Sequence, residues 1–299
     1  MLCKKGYLIR ALRLPFLSVS ILPFIFGSFL CGDIFLLLPF FLGIISVIST
    51  HLAANLLNDY ADSKSGADWQ DNNFYSFFGG SKLIQEGVFS EGFYLKASLI
   101  FFLIAFLSTV SLAAALGEPS LLFYFSGIIF LGWAYSCLPF RLSYRRLGEL
   151  VIFLLFGPAL VMGGYFIQNK IFPDLKSFLL SLPFGFFTTA ILFANEIPDY
   201  PDDRKTGKMN WVSVLGPKNS FLLYIILLAL GYLSIILGVV FGYLGNFALL
   251  SLVLVFPGMK AAGILRDHAG GKIRFRESSK LTILLHTMAG IILILSLFL

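Results

Sequence analysis

Apolar residues run along this chain in long blocks separated by short polar intervals. Nine such blocks can be laid out, at 14 to 31, 34 to 57, 94 to 116, 120 to 138, 148 to 168, 178 to 196, 220 to 241, 245 to 265 and 281 to 299. Crossing a bilayer takes about 20 mostly apolar residues in helical form, so each block is predicted to be a membrane helix. The expected fold is all-α: nine transmembrane helices in one polytopic domain over residues 1 to 299, with almost nothing left for a soluble domain. Composition agrees, since only 13% of the residues are charged and 58% are hydrophobic, against roughly 25% charged in an ordinary soluble domain. The basic leader before the first block looks like the start of a signal peptide, but the block is long, contains Pro15 and Pro23, and has no small-residue cleavage pattern. It is expected to be retained as a helix.

Charge placement orients the helices. With the N-terminus in the cytoplasm, five segments lie inside, at 1 to 13, 58 to 93, 139 to 147, 197 to 219 and 266 to 280, and they hold 18 of the 22 Lys and Arg. That is the positive-inside pattern. The inside connections are also the long polar ones, so chemistry is expected on the cytoplasmic face of a multi-pass protein of the cell inner or plasma membrane. No nucleic-acid partner is expected; the partners implied are membrane lipid and small molecules.

Two of the apolar blocks end in acid. In "HLAANLLNDYADSKSGAD", His51, Asn55, Asn58 or Asp59, and Asp62 recur at steps of three and four, which places them on one face of a helix. Polar groups at membrane depth are costly and face a cavity or partner. The carboxylates also fall at a helix C-terminus, where the dipole disfavours anions, so a cation is expected. The sixth block repeats the arrangement in "FANEIPDYPDDRKTGK", with Asn195, Asp199 and Asp203 at four-residue steps and Asp202 adjacent. Both stretches carry Gly four residues after an aspartate (Gly66 and Gly207) and lie four helices apart, the mark of an internally duplicated four-helix unit. Paired carboxylates with Asn oxygens suit Mg²⁺, which keeps several waters and bridges one or two carboxylates to substrate phosphates.

These residues resemble the UbiA superfamily of membrane-embedded aromatic prenyltransferases, over essentially the whole chain. "NDYADSKSGAD" is similar to the family's N-D-x-x-D-x-x-x-D motif and "DYPDD" to its D-x-x-x-D motif. Strict spacing would put the last acid of the first motif at position 66, where Gly66 stands, and the acid comes at Asp68 instead. That form, together with "FFGGSKLIQEGVFS" and "YSCLPFRLSYRRLGELVIFLLFGP", resembles the branch that prenylates 1,4-dihydroxy-2-naphthoate in menaquinone biosynthesis.

The resemblance implies nine helices around a central cavity capped by cytoplasmic loops. It implies that Asn58 and Asp62 with Asp199 and Asp203 hold two Mg²⁺ ions, supported by Asp59 and Asp68. The donor is then a polyprenyl diphosphate and the acceptor a small aromatic compound. Asp62 and Asp199 are the central catalytic candidates; Arg141, Lys82, Arg13 and Lys208 are candidates to hold the diphosphate. Tyr135 and Tyr144 are candidates to flank the developing carbocation, and Asn195 to orient a substrate. The glycine-rich stretch 69 to 93 is expected to cap the site, with Gly79 and Gly80 either approaching a phosphate or making a plain turn. Other acceptors such as 4-hydroxybenzoate or homogentisate fit the same motifs, and a cation-coupled transporter is the alternative from another class. Acids clustered at one membrane face, rather than at mid-membrane, favour the enzyme.

Overall fold

The computed structural model describes residues 2–32, 35–267 and 271–299. Residues 268–270, part of the expected inside segment 266 to 280, therefore lie outside the described residues. In chain order the α-helices are α1 (Leu2–Ala11), α2 (Ser18–Phe29), α3 (Leu37–Ser65), α4 (Glu91–Leu116), α5 (Ser120–Ser136), α6 (Gly148–Phe156), α7 (Pro158–Asn169), α8 (Leu175–Lys205), α9 (Trp211–Leu215), α10 (Pro217–Val240), α11 (Val255–Arg266) and α12 (Gly271–Leu295). Short 3₁₀ segments lead into α2 and α11 and follow α3 and α5. Among the described residues there is no strand, only an isolated bridge between Arg145 and Met209.

Seven helical stretches are long and apolar enough to cross a membrane, α6 and α7 counting as one, and two further apolar helices, Leu14–Phe29 and Ser120–Ser136, are shorter. Each coincides with one of the apolar blocks in the sequence. Two boundaries differ in an informative way. α3 runs to Ser65 and α8 to Lys205, so the acidic stretches continue their helices by two turns instead of opening into loops. α8 does so through Pro198 and Pro201. A proline removes one backbone donor, and neighbouring helices in a membrane bundle re-satisfy the freed groups.

α8 is the axis of the bundle: 72% of its apolar stretch is buried, against 33–50% for the other spans. Its Phe184, Phe187 and Phe193 anchor the main core together with Phe26, Tyr224 and Leu285. α4, by contrast, turns Leu99, Ile100, Leu103 and Leu107 outward, the face expected to meet lipid. α2 and α7 pack backbone to backbone, because a Cβ at Gly27 would lie 2.0 Å from the Val161 carbonyl oxygen and one at Gly164 would lie 2.4 Å from that of Phe24. Small residues serve this purpose where no hydrophobic drive separates helix from lipid. The polar ends of α3 and α8 line a common cavity at one end of the bundle.

Candidate active site

At that end a cavity of about 140 Å³ is lined by residues of both acidic helix ends, of the loop between α3 and α4, and of the first turn of α12. On α3, the Asn58 amide donates to Asp62 Oδ2 at 3.1 Å and to Ser136 Oγ at 3.1 Å. The Tyr144 hydroxyl donates to the other oxygen, Asp62 Oδ1, at 3.2 Å. Asp62 is thus fixed before any ligand arrives. Asp59, one step round the helix, is buried away from the cavity and ion-paired with Arg13, which does reach the cavity wall.

The irregular spacing of the first motif has a structural cause. Gly66, at φ 84, caps α3 and ends it, and the 3₁₀ turn that follows carries Asp68 back into the cavity wall. There Asp68 pairs with Lys82 Nζ at 3.1 Å, and the same ammonium donates to the Asp68 carbonyl at 2.7 Å. Burial, and then the charges of Asp59 and Asp62, push the Asp68 carboxyl up to about 7 despite Lys82.

On α8, Asp199 Oδ2 accepts from the Gly79 amide at 2.9 Å. Asp203 pairs with Lys208 at 3.3 Å and accepts from the Asn210 amide at 3.2 Å. Asn195 Oδ1 accepts from Ser279 Oγ at 2.7 Å. Burial opposes the charge on Lys208, but Asp203 and Asp62 outweigh it and raise its pKa well above the ordinary value. Gly79 and Gly80 are therefore neither a plain turn nor a free phosphate cradle. Gly79 spends its amide on Asp199, and Gly80, at φ 78, packs so closely on Asp68 that a Cβ would lie 2.6 Å from both carboxylate oxygens. Gly80→Ala combines a left-handed backbone with that clash and should cost about 1–3 kcal/mol, read as a lower unfolding temperature of the purified protein. An unchanged temperature would mean that the loop relaxes freely.

Three of the basic residues singled out in the sequence share a backbone peculiarity: Arg13, Lys82 and Arg141 stand at φ 48, 60 and 41. Non-glycine residues pay for that region, and such strain concentrates at functional sites. Arg141 does not line the cavity; its guanidinium lies 5.0 Å from the ring centroid of Tyr144, with Lys208 5.9 Å from the same ring. The hydroxyl of that same ring holds Asp62. Tyr135 lines the cavity directly.

A second, apolar cavity of about 260 Å³ adjoins the first, and Arg13, Asn58, Phe77, Tyr135, Leu192 and Asn195 line both. It runs between α2, α3, α5, α6 and α8 past Phe16, Val19, Phe156 and Leu160. His51 borders it, held through Nδ1 by Ser20 Oγ at 2.5 Å. Sequence reasoning missed Asp71, Tyr75, Glu196 and Lys272, all of which line the polar cavity. Only Glu196 carried a signal, standing one turn before Asp199 on the α8 stripe.

Among the described residues no three acidic, His or Cys side chains converge as a ready-made metal cage. The polar cavity is nevertheless lined by seven acidic side chains and four basic ones. A wall with that excess of carboxylate receives a phosphate only if cations enter with it. The donor set, carboxylate and amide oxygens with room for water, fits Mg²⁺ carried in by an oxyanion.

The fold and site define a multi-pass helical membrane protein whose two acidic helix ends line one polar cavity beside an apolar one. A sequence model of the UbiA prenyltransferase family matches residues 20–278, and the chain belongs to that family. It is 32% identical to the Drosophila melanogaster "UbiA prenyltransferase domain-containing protein 1 homolog" over 76% of this chain and 63% of that one. It is 28% identical to the "2-carboxy-1,4-naphthoquinone phytyltransferase" of Synechocystis, over 70% of this chain and 66% of that one. Against the "1,4-dihydroxy-2-naphthoate octaprenyltransferase" of Bacillus subtilis the figures are 28%, 74% and 69%. The match thus spans just under two thirds of the first two relatives. In fold, the apo structure of a UbiA homolog from Aeropyrum pernix K1 superposes with a TM-score of 0.71 at 21% identity, covering 92% of this chain and 96% of that one. A UbiA homolog from Archaeoglobus fulgidus bound to DMAPP and Mg²⁺ gives 0.63 at 16% identity, covering 94% and 98%.

Proposed function

We propose that this protein is a Mg²⁺-dependent prenyltransferase that moves a polyprenyl group from polyprenyl diphosphate to an aromatic acceptor, 1,4-dihydroxy-2-naphthoate, in menaquinone biosynthesis. One observation carries the reading: a carboxylate-rich polar cavity adjoins an apolar one, with Asn58, Tyr135 and Asn195 lining both. A molecule with an anionic head and a hydrocarbon tail fits that pair of cavities. The Archaeoglobus homolog, bound to DMAPP or to GPP with Mg²⁺, and the naphthoate- and naphthoquinone-prenylating relatives support the donor and the acceptor class respectively.

In this reading Asn58, Asp62, Asp199 and Asp203 hold Mg²⁺, with Asp68 beside them and Asp59 acting through Arg13. Two such ions would supply Lewis-acid neutralisation of the diphosphate, stabilising it as a leaving group. The chain's own residues do the rest. Arg13, Lys82 and Lys208 bring fixed positive charge to the cavity wall, preorganised where leaving-group charge develops. Tyr144 and Asn58 fix both oxygens of Asp62, and Gly79 fixes one of Asp199. Tyr135, at the junction of head and tail, offers its ring face to the electron-poor allylic carbon. The apolar walls deny that carbon a water nucleophile. The basic connections at this end of the bundle support a site on the cytoplasmic side of the membrane, by the positive-inside pattern.

The test is direct. Purified protein with Mg²⁺, a polyprenyl diphosphate and 1,4-dihydroxy-2-naphthoate should release diphosphate and yield a prenylated, decarboxylated naphthoquinol by mass spectrometry. Product from 4-hydroxybenzoate but not from the naphthoate would overturn the acceptor; no diphosphate release with any acceptor would overturn the enzyme.

A further inference from the structure

The loop at 70–80 is gripped from a direction that neither acidic motif supplies. Lys272, in the first turn of α12, places its Nζ 2.8 Å from Asp71 Oδ2 and 2.5 Å from Asp202 Oδ2. One ammonium thus ties three segments distant in sequence: the loop, the end of α8 and the start of α12. One turn further along α12, Arg276 donates to Ser76 Oγ at 3.2 Å, a second hold on the same loop.

The grip reaches the roof of the polar cavity. The Tyr75 hydroxyl donates to Asp71 Oδ2 at 3.0 Å, the Lys272 ammonium lies 5.4 Å from the Tyr75 ring centroid, and Tyr75 stacks on Phe78 at 5.0 Å. Tyr75, Phe77 and Phe78 all line the cavity. Lys272 lines it too, but its charge is already matched by two carboxylates, which makes it a poor reserve of charge for a diphosphate and a good clasp.

We infer that Lys272 is a positioning residue: it clasps Asp71 to Asp202, holds the 70–80 loop closed over the polar cavity, and so sets how the prenyl group divides between acceptor and water. The inference rests on the prenyl-transfer reading above. When the allylic carbon–oxygen bond breaks, the electron pair leaves with the diphosphate. The electron-poor carbon then takes a pair either from a ring carbon, which loses a proton or CO₂, or from a water oxygen, which loses a proton and leaves prenyl alcohol. A closed loop suppresses the second course by keeping water out.

Lys272→Met keeps the side-chain stem and removes the charge. With Mg²⁺, polyprenyl diphosphate and acceptor supplied to the full-length protein, the ratio of prenyl alcohol to prenylated product should rise about tenfold, while KM for the diphosphate shifts by less than about twofold. Arg276→Ala should move the ratio the same way by a smaller factor, and Lys272→Arg should restore it. An unchanged ratio overturns the inference. So does an equal loss of both products with a raised KM, since that would make Lys272 a substrate contact. Hydrogen exchange of residues 70–80 gives a readout independent of turnover: it should quicken in Lys272→Met, and unchanged protection overturns the clasp. Absence of diphosphate release from the wild type would overturn the transfer reading, and the exchange measurement would still decide the closure.

Discussion

Asp199→Asn should lower diphosphate release by about a thousandfold with little loss of fold, because it removes charge from a fixed site without changing its shape. The Gly79 amide would still find an oxygen at position 199, so the 70–80 loop keeps its anchor on α8. What disappears is the negative charge proposed to hold a cation opposite the α3 acids. Asp62→Asn should act alike, since Tyr144 and Asn58 bracket that side chain as tightly. Chelating the metal should match either substitution. The double variant should fall hardly further than each single one, as expected when two groups hold the same species. Near-normal turnover in Asp199→Asn would detach the second acidic stretch from the chemistry.

The largest stability effect is expected at Lys82. Its side chain is 3% exposed and that of Asp68 10%, so the pair is buried. Lys82→Met strands a carboxylate beside Asp59 and Asp62, and breaking a buried pair from one side costs about 3–5 kcal/mol. Asp68→Asn in the same chain should recover most of that loss in a thermal unfolding measurement. The sign of the pH dependence follows from the raised Asp68 pKa. A carboxyl that binds its proton more tightly in the folded state than in the unfolded one loses stability as pH rises through its folded value, about 7 here. Without Lys82 that value lies higher still, so the deficit of Lys82→Met should shrink as the pH is lowered from alkaline values toward about 7 and stay level below it. A deficit that grows on acidification would contradict the assignment.

The sequence shows the bundle plainly because a bilayer writes its thickness into apolar run length: seven of the nine runs coincide with helical stretches long enough to cross, and the other two with shorter helices. It shows the two acidic stripes because helical spacing is local. Where α3 and α8 end is less legible: the apolar blocks stop at 57 and 196, whereas the helices run on to Ser65 and, through Pro198 and Pro201, to Lys205. The missing acid at position 66 reads as a departure from a motif, whereas in three dimensions Gly66 makes the turn that returns Asp68 to the cavity. Lys272 was invisible for a different reason. Its partners, Asp71 and Asp202, lie 201 and 70 residues away, and among many basic residues on one face nothing local distinguishes it. Arg141 illustrates the converse, a charge that looked like a phosphate contact and that the fold sets behind Tyr144.

The left-handed backbone at Arg13, Lys82 and Arg141 also bears on how this protein can change over evolutionary time. Arg13 and Lys82 each offset their conformational cost with a buried carboxylate partner; among the described residues Arg141 has no carboxylate partner. Selection for robustness alone would drift toward glycine at position 141, since glycine adopts that conformation freely. An arginine that persists there across relatives would mark its contact with Tyr144, whose hydroxyl holds Asp62, as worth the strained backbone.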